Sequence, residues 1–344
     1  MPPRHLRLGF PVKVMGRADL KSNDTRRWAQ NPHLEVSLGY VDQILDYLDK
    51  HDVRMYRLSS DLAPYATHPD MPQFHGMVAE SDAALRTLGE KARRLDIRLS
   101  FHPSQYIVLN SPDPELVRKS SADLLSQADM LDRMGLGDEA VLVIHVGGTY
   151  GDKPAALARW VETFDALPEP VRRRLVLEHD DIRFSAADVL WVHEQTGVRL
   201  IFDHQHFLCL NPEGLEMRPT LERFLTSWGN RGRPKVHFSS PRTELRLLKR
   251  KGADGKSREV PVSPVWTGHA DFCHPFEFIG FMRAMDGLEF DVMLEAKVKD
   301  LALIRLRLDL LRYAPDVATR FGLAPAEAAQ LAEEAAELME EEAG

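Results

Sequence analysis

Residues 174–206, RLVLEHDDIRFSAADVLWVHEQTGVRLIFDHQH, read as a strand, a helix near 185–197 and a second strand. Each strand is an apolar run that ends on a carboxylate, Glu178 in the first and Asp203 in the second. A buried strand gains nothing from such an ending, because an ionised group is costly to desolvate unless it is paired or bound to metal. The same ending recurs in RLSFHPS (98–104), AVLVIHVGG (140–148), PKVHFSS (234–240) and DVMLEAK (291–297), at His102, His145, His237 and Glu295. PYATHP (64–69), with His68, repeats it less cleanly. A set of such residues, each where a strand meets its loop, points to one polynuclear metal site.

Working outward, strand-like runs alternate with amphipathic helical segments through most of the chain. LRLGFPV (6–12) precedes a helix around 37–50, with Val41, Ile44, Leu45 and Leu48 at helical spacing. VRMYRLSS (53–60) precedes a helix near 78–95. The helix near 114–134 opens on Ser-Pro-Asp-Pro (111–114) and stops at Gly135 and Gly137. Further helices are expected from Lys153-Pro154, near 217–228, near 275–285 and near 299–313, the last with Leu301, Ile304, Leu308 and Leu311 on one face. Eight such units predict an α/β fold, a (β/α)8 TIM barrel in a single domain over 1–318. A doubly wound sheet gathers its site at one switch point, whereas here nearly every strand end contributes.

Two segments depart from the repeat. Residues 241–266 form a basic insert after the seventh strand, with Arg246, Lys249, Arg250 and Lys251 as candidate DNA contacts and a Gly252-Ala253-Asp254-Gly255 turn, which predicts a hairpin or loop at the barrel mouth. Residues 319–344 form an acidic C-terminal extension. Its seven glutamates from Glu327 to Glu342 have no Lys or Arg among them from 321 onward, and without them the net charge of −8 becomes −8 + 7 = −1. Global acidity therefore does not exclude a phosphate substrate, the more so if bound cations add positive charge at the cleft. Only Cys209 and Cys273 occur, which argues for a reducing, cytoplasmic setting, and no run is long enough to span a membrane. A monomer is expected.

The donor candidates are His102, His145, Glu178, Asp203, His206, His237, His269 and Glu295, with His68 as a weaker ninth. Imidazole and carboxylate together suit Mn, Zn or Fe. Nine donors exceed the needs of one ion and suit two or three, with carboxylates bridging. His179 and His204 neighbour donors, but strand alternation turns them the other way. Lys235 lies two residues before His237 and so on the same side; beside several cations it must be depressed in pKa, paired, or carbamylated.

The strings YRLSSDLAPYATHP (56–69), LSFHPSQYIVLNSPDPE (99–115), VIHVGGTYGDK (143–153), FDHQHFLCLNP (202–212) and MLEAKVKD (293–300) occur in an order that resembles the UV damage endonuclease family. The resemblance covers roughly residues 6–313 and implies a TIM barrel with up to three divalent metals, usually manganese, with magnesium, cobalt or zinc as alternatives. It implies an enzyme, a metal-dependent endodeoxyribonuclease that nicks damaged double-stranded DNA immediately 5′ of ultraviolet photoproducts. His102, His145 and Glu178 then resemble the ligands of one metal. Glu178, Asp203, His237 and Glu295 resemble those of a second, and His206 and His269 those of a third, near Lys235. Glu178, His68 and Lys235 are the catalytic candidates. Gln105 and Tyr106 match the pair that the family inserts into the duplex at the lesion. Phe10 stands where relatives often have tyrosine. An abasic-site endonuclease of the same superfamily and a xylose-isomerase-like sugar isomerase or epimerase are the competing readings.

Overall fold

A computed structural model describes residues 5–252, 255–324 and 333. Eight parallel strands close into a barrel: β1 (Leu8–Pro11), β2 (Met55–Leu58), β3 (Arg98–Phe101), β4 (Leu142–His145), β5 (Leu175–Glu178), β6 (Arg199–Asp203), β7 (Lys235–Phe238) and β12 (Asp291–Leu294). Around the ring they run β1-β12-β7-β6-β5-β4-β3-β2, a chain-order progression that closes β12 onto β1. This is the expected (β/α)8 arrangement.

The helices sit where local chemistry starts and stops them. Helix Pro114–Arg133 opens with Pro114 in its first turn and with Asp113 accepting from the Glu115 amide. Helix Ala186–Thr196 is capped by a reciprocal Ser185–Asp188 box and ends at Gly197, whose φ of 69° suits glycine. In helix Leu34–Lys50 the predicted stripe Val41, Ile44, Leu45 and Leu48 is fully buried. Helix Lys299–Tyr313 departs from expectation. Its Leu303, Leu306 and Leu310 join the main core, whereas Leu301, Ile304 and Leu308 pack with Met15 and Val298 in a separate cluster beneath the loop after β1. The helix is covered on two sides, so a single apolar stripe does not describe it.

Strand alternation divides the apolar residues in two. Outward side chains such as Leu142, Leu177, Phe202 and Phe238 join the helices in one large core. Inside the barrel the apolar cluster is small: Val141, Val143, Val176, Ile201 and Trp228. His179 and His204 do point outward, His179 against Phe202 and Phe224, and His204 stacked on Phe238 at 4.7 Å.

The insert forms an antiparallel ribbon of β9 (Arg246–Lys251) and β10 (Ser257–Val262), rooted on a second antiparallel pair, β8 (Pro241–Arg242) with β11 (Val265–His269). The basic hairpin expected at 241–266 is therefore formed. Past the expected domain boundary at 318, Phe321 and Leu323 are still buried in the main core. Beyond residue 324 the acidic extension, Glu333 apart, lies outside the described residues. Among the described residues no helix is long and apolar enough to cross a membrane.

Candidate metal centre

Strand register brings the donors level. His145 lies beside Glu178 across β4 and β5, and Asp203 beside His237 across β6 and β7. Three groups of potential ligand atoms result, each within 4.8 Å: His102, His145 and Glu178; Glu178, Asp203 and His206; Asp203, His237 and Glu295. Glu178 belongs to two groups and Asp203 to two, so two carboxylates link three potential cation positions. Asp203 ends its strand and caps the short helix His204–Cys209, where its Oδ1 accepts from the His206 amide at 2.8 Å. That turn delivers His206 to the same mouth.

Glu178 is fully buried. Its Oε1 lies 2.8 Å from His237 Nδ1, and its Oε2 lies 3.4 Å from His102 Nε2 and 3.8 Å from His145 Nε2. Burial alone would raise its pKa, but the imidazoles of His237, His145 and His102 hold it well below the usual carboxylate range. Glu295 behaves likewise, held low against burial by Arg57 first and His237 next. Burial raises Asp203, helped by Glu178 and Glu295 and opposed by His206. Burial also lowers His102 to about 4, leaving a neutral ligand. His206 goes the other way: burial disfavours its cation, yet Asp203, Glu178 and Glu295 hold it up at about 9.

These residues fit divalent metals on an observation independent of likeness. Glu178 Oε2, Asp203 Oδ2, His237 Nε2, His145 Nδ1 and His269 Nδ1 are buried without a hydrogen-bond partner. Buried lone pairs left in this way are rare and costly, and several converging on one mouth call for cations.

The residues expected to hold a third ion are neighbours: the His206 and His269 rings lie 6.4 Å apart, His206 also joins Glu178 and Asp203, and His269 sits 3.8 Å from Glu295. Lys235 opens β7. It is buried one alternation step below His237, where its Nζ donates to Ser100 Oγ at 3.2 Å. Burial, with Arg98 and Arg57 nearby, pushes its pKa well below the usual lysine value. His68 stands apart from the donor groups. Its Nδ1 accepts from the Asp70 amide, and it borders a separate cavity of about 510 Å³ with Asp24, Asp61 and Asp123.

Gln105 and Tyr106 lie in the loop after β3, Tyr106 being 74% exposed. They rim a cavity of about 450 Å³ whose floor includes His102, His145 and His206. Phe10 is buried edge-on against Tyr56, with ring centres 5.6 Å apart. Two contributors escaped sequence reasoning. Arg57 pairs with Glu295, and Gln205, buried between Asp203 and His206, donates to the Trp266 and Gly268 carbonyls at 2.9 and 3.2 Å. Arg57 was detectable as a cation two places after Met55, on the barrel-facing side of β2. Gln205 carried no such signal.

The family model described as UV-endonuclease UvdE matches residues 35–320. A UV DNA damage endonuclease of Bacillus velezensis is 35% identical over 301 residues, covering 86% of this chain and 88% of that protein. One from Bacillus pumilus is 34% identical over 257 residues, covering 74% of each. The crystal structure of SacUVDE superposes with a TM-score of 0.71 at 30% identity, covering 87% of this chain and 95% of that one.

Proposed function

The chain belongs to the UV-endonuclease UvdE family of endonucleases, and on that premise we propose that it hydrolyses the phosphodiester immediately 5′ of pyrimidine dimers and 6-4 photoproducts in duplex DNA. The observation that carries this reading is the linked donor set, three groups sharing Glu178 and Asp203, opening onto the cavity rimmed by Gln105 and Tyr106.

In this reading His102, His145 and Glu178 would hold one cation, Glu178, Asp203 and His206 a second, and Asp203, His237 and Glu295 a third, with His269 beside His206 and Glu295 and manganese as the preferred ion. Divalent metals so held supply Lewis-acid activation of water and charge neutralisation at the phosphate. The chain's own residues do the rest. Glu178, kept ionised by its imidazole neighbours, accepts a hydrogen bond from the attacking water and orients it toward phosphorus. Arg57 fixes the carboxylate of Glu295. Lys235, with its depressed pKa, is available as a neutral amine, the form that adds carbon dioxide and releases a proton to become an anionic carbamate. An intact-mass increase of one carboxyl group on Lys235 is the expected mark of that modification. His68 is proposed to reach the DNA strand from its neighbouring cavity.

Lesion recognition rests on stacking. A photodimer is poorly stacked, so extruding it costs less than opening intact duplex. Tyr106, exposed at the rim, fills the gap as a wedge beside Gln105. Linked donors and an exposed wedge favour this reading over a sugar isomerase, which needs a closed pocket.

The test is incubation of manganese-loaded protein with defined duplexes, undamaged, photodimer-containing and abasic, followed by mapping of the cut. A single nick directly 5′ of the dimer is expected. Cleavage confined to the abasic duplex would move the assignment to an abasic-site enzyme. Tyr106→Ala should reduce dimer-directed nicking by about 5- to 150-fold, the worth of one base-stacking contact, with metal content unchanged.

A further inference from the structure

The β9–β10 ribbon makes six cross-strand pairs, and nearly all of its length is exposed. Arg250 lies directly across from Arg258, and Lys249 and Lys251 occupy the other face of the same strand. Lys249 faces Glu259, so the excess of positive charge lies toward the turn, at Arg250, Lys251 and Arg258. At its root Arg246 holds Asp271 at 3.1 Å, and Arg242 and Arg246 stand close enough to Lys297 to act on its charge. Lys297 is two residues past the donor Glu295. A line of cations thus leads from the metal centre to the ribbon tip.

The root is also tied to the centre. Gln205, between two donors, donates to the carbonyls of Trp266 and Gly268 on β11, and accepts from Ser239. These bonds hold β11, the strand that follows the ribbon, on the site. In the ring, β7 and β3 are four strands apart, so the ribbon stands across the mouth from the loop that carries Gln105 and Tyr106.

We propose that the β9–β10 ribbon is a duplex-DNA grip that holds phosphates on the 5′ side of the lesion, across the metal centre from Gln105 and Tyr106. The direction rests on the preceding reading, in which the lesion lies at the wedge and the nick 5′ of it at the metals. A two-stranded ribbon fits the major groove. Six residues at about 3.3 Å each reach about 20 Å, roughly six base-pair steps at about 3.4 Å. Contacts of this kind neutralise phosphates without reading bases.

The experiment measures binding of the manganese-loaded full chain to photodimer duplexes by fluorescence anisotropy. A methylphosphonate at the scissile link, which lacks the charged oxygen a metal would hold, keeps them uncut. One series shortens the 5′ flank from about twenty to about four base pairs, and another shortens the 3′ flank equally. Trimming the 5′ side should weaken binding about tenfold, and trimming the 3′ side much less. The variant Lys249→Ala/Arg250→Ala/Lys251→Ala/Arg258→Ala should bind both 5′ lengths alike, with a salt slope shallower by about three to four. Thermal unfolding checks that this exposed ribbon change leaves the barrel folded. Greater sensitivity to the 3′ flank, or a variant with the wild-type salt slope, overturns the proposal. Failure of the wild-type protein to nick unmodified dimer duplexes would instead sink the functional reading, and the flank dependence would show it separately.

Discussion

The two ends of the barrel both bury charge, yet they treat it in opposite ways. At the base, Asp291 receives the Arg7 amide at 3.0 Å, Arg7 Nη1 at 3.3 Å and Arg98 Nη1 at 2.9 Å. Arg174 donates to the carbonyls of Leu136 and Ala140 and to Asp132, and Arg199 to those of Asp138 and Arg173. Arg98 and Arg199 lie against the Trp228 ring, 5.4 and 4.9 Å from its centre. Burial lowers Arg199 to about 9, but its carbonyl acceptors remain in place. At the mouth, the carboxylates and imidazoles face one another with lone pairs unsatisfied. The base meets most of its charge with its own carboxylates and carbonyls, only Arg98 Nη2 and Arg199 Nε among these arginines' buried nitrogens lacking a partner, and acts as structure. The mouth instead crowds carboxylates and imidazoles together, an arrangement that suits cations, and that difference separates a scaffold from a candidate site.

The comparison breaks most readily at Glu178, which two of the three donor groups share. Glu178→Gln should cut dimer nicking by about a thousandfold or more, the several kcal/mol that metal-centred charge stabilisation supplies. Bound metal, counted by elemental analysis, should fall with it. The unfolding midpoint of the chelated variant should fall, because a carboxylate held ionised by its imidazole neighbours stabilises the metal-free fold at neutral pH. Wild-type nicking by this variant would end the bridging role.

The base should answer differently. Asp291→Ala leaves Arg7 and Arg98 without their shared carboxylate and should cost about 3–5 kcal/mol in denaturant unfolding, with or without metal. A loss below about 1 kcal/mol would erase the distinction between the ends.

The smallest effect sharpens the electrostatics of the mouth. With its pKa raised to about 9, His206 keeps its proton at pH 7.5 in the metal-free protein. That proton stabilises the metal-free fold fully below the unfolded value of about 6.5, and its contribution is lost as pH rises through about 9. A manganese ion ligated by His206 would expel it, because a ligating imidazole is neutral. Calorimetric titration in buffers of different protonation enthalpy should show about one proton released at pH 7.5 and about none near pH 10. Equal release at both values would remove His206 from the ligand set.

Much of this was legible along the chain. The helix starts at Pro114 and Lys153 were fixed by capping chemistry a few residues long. The donors His102, His145, Glu178, Asp203, His237 and Glu295 stood out as charges ending apolar runs. Less legible was Arg57, whose significance appears only when β2 comes near Glu295, 238 residues away. The stripe Leu301, Ile304 and Leu308 was visible, but its partner, the loop after β1, was not.

The sequence by itself determined the eightfold alternation and the inventory of donors. Periods of 2 and 3.6, and the cost of ending a buried strand on a charge, act over a few neighbouring residues. Only the tertiary structure decided which donors share a cation position. Glu178 and His237 are 59 residues apart in the chain and 2.8 Å apart in space. The grouping is set by barrel closure and inter-strand register, which no single segment encodes.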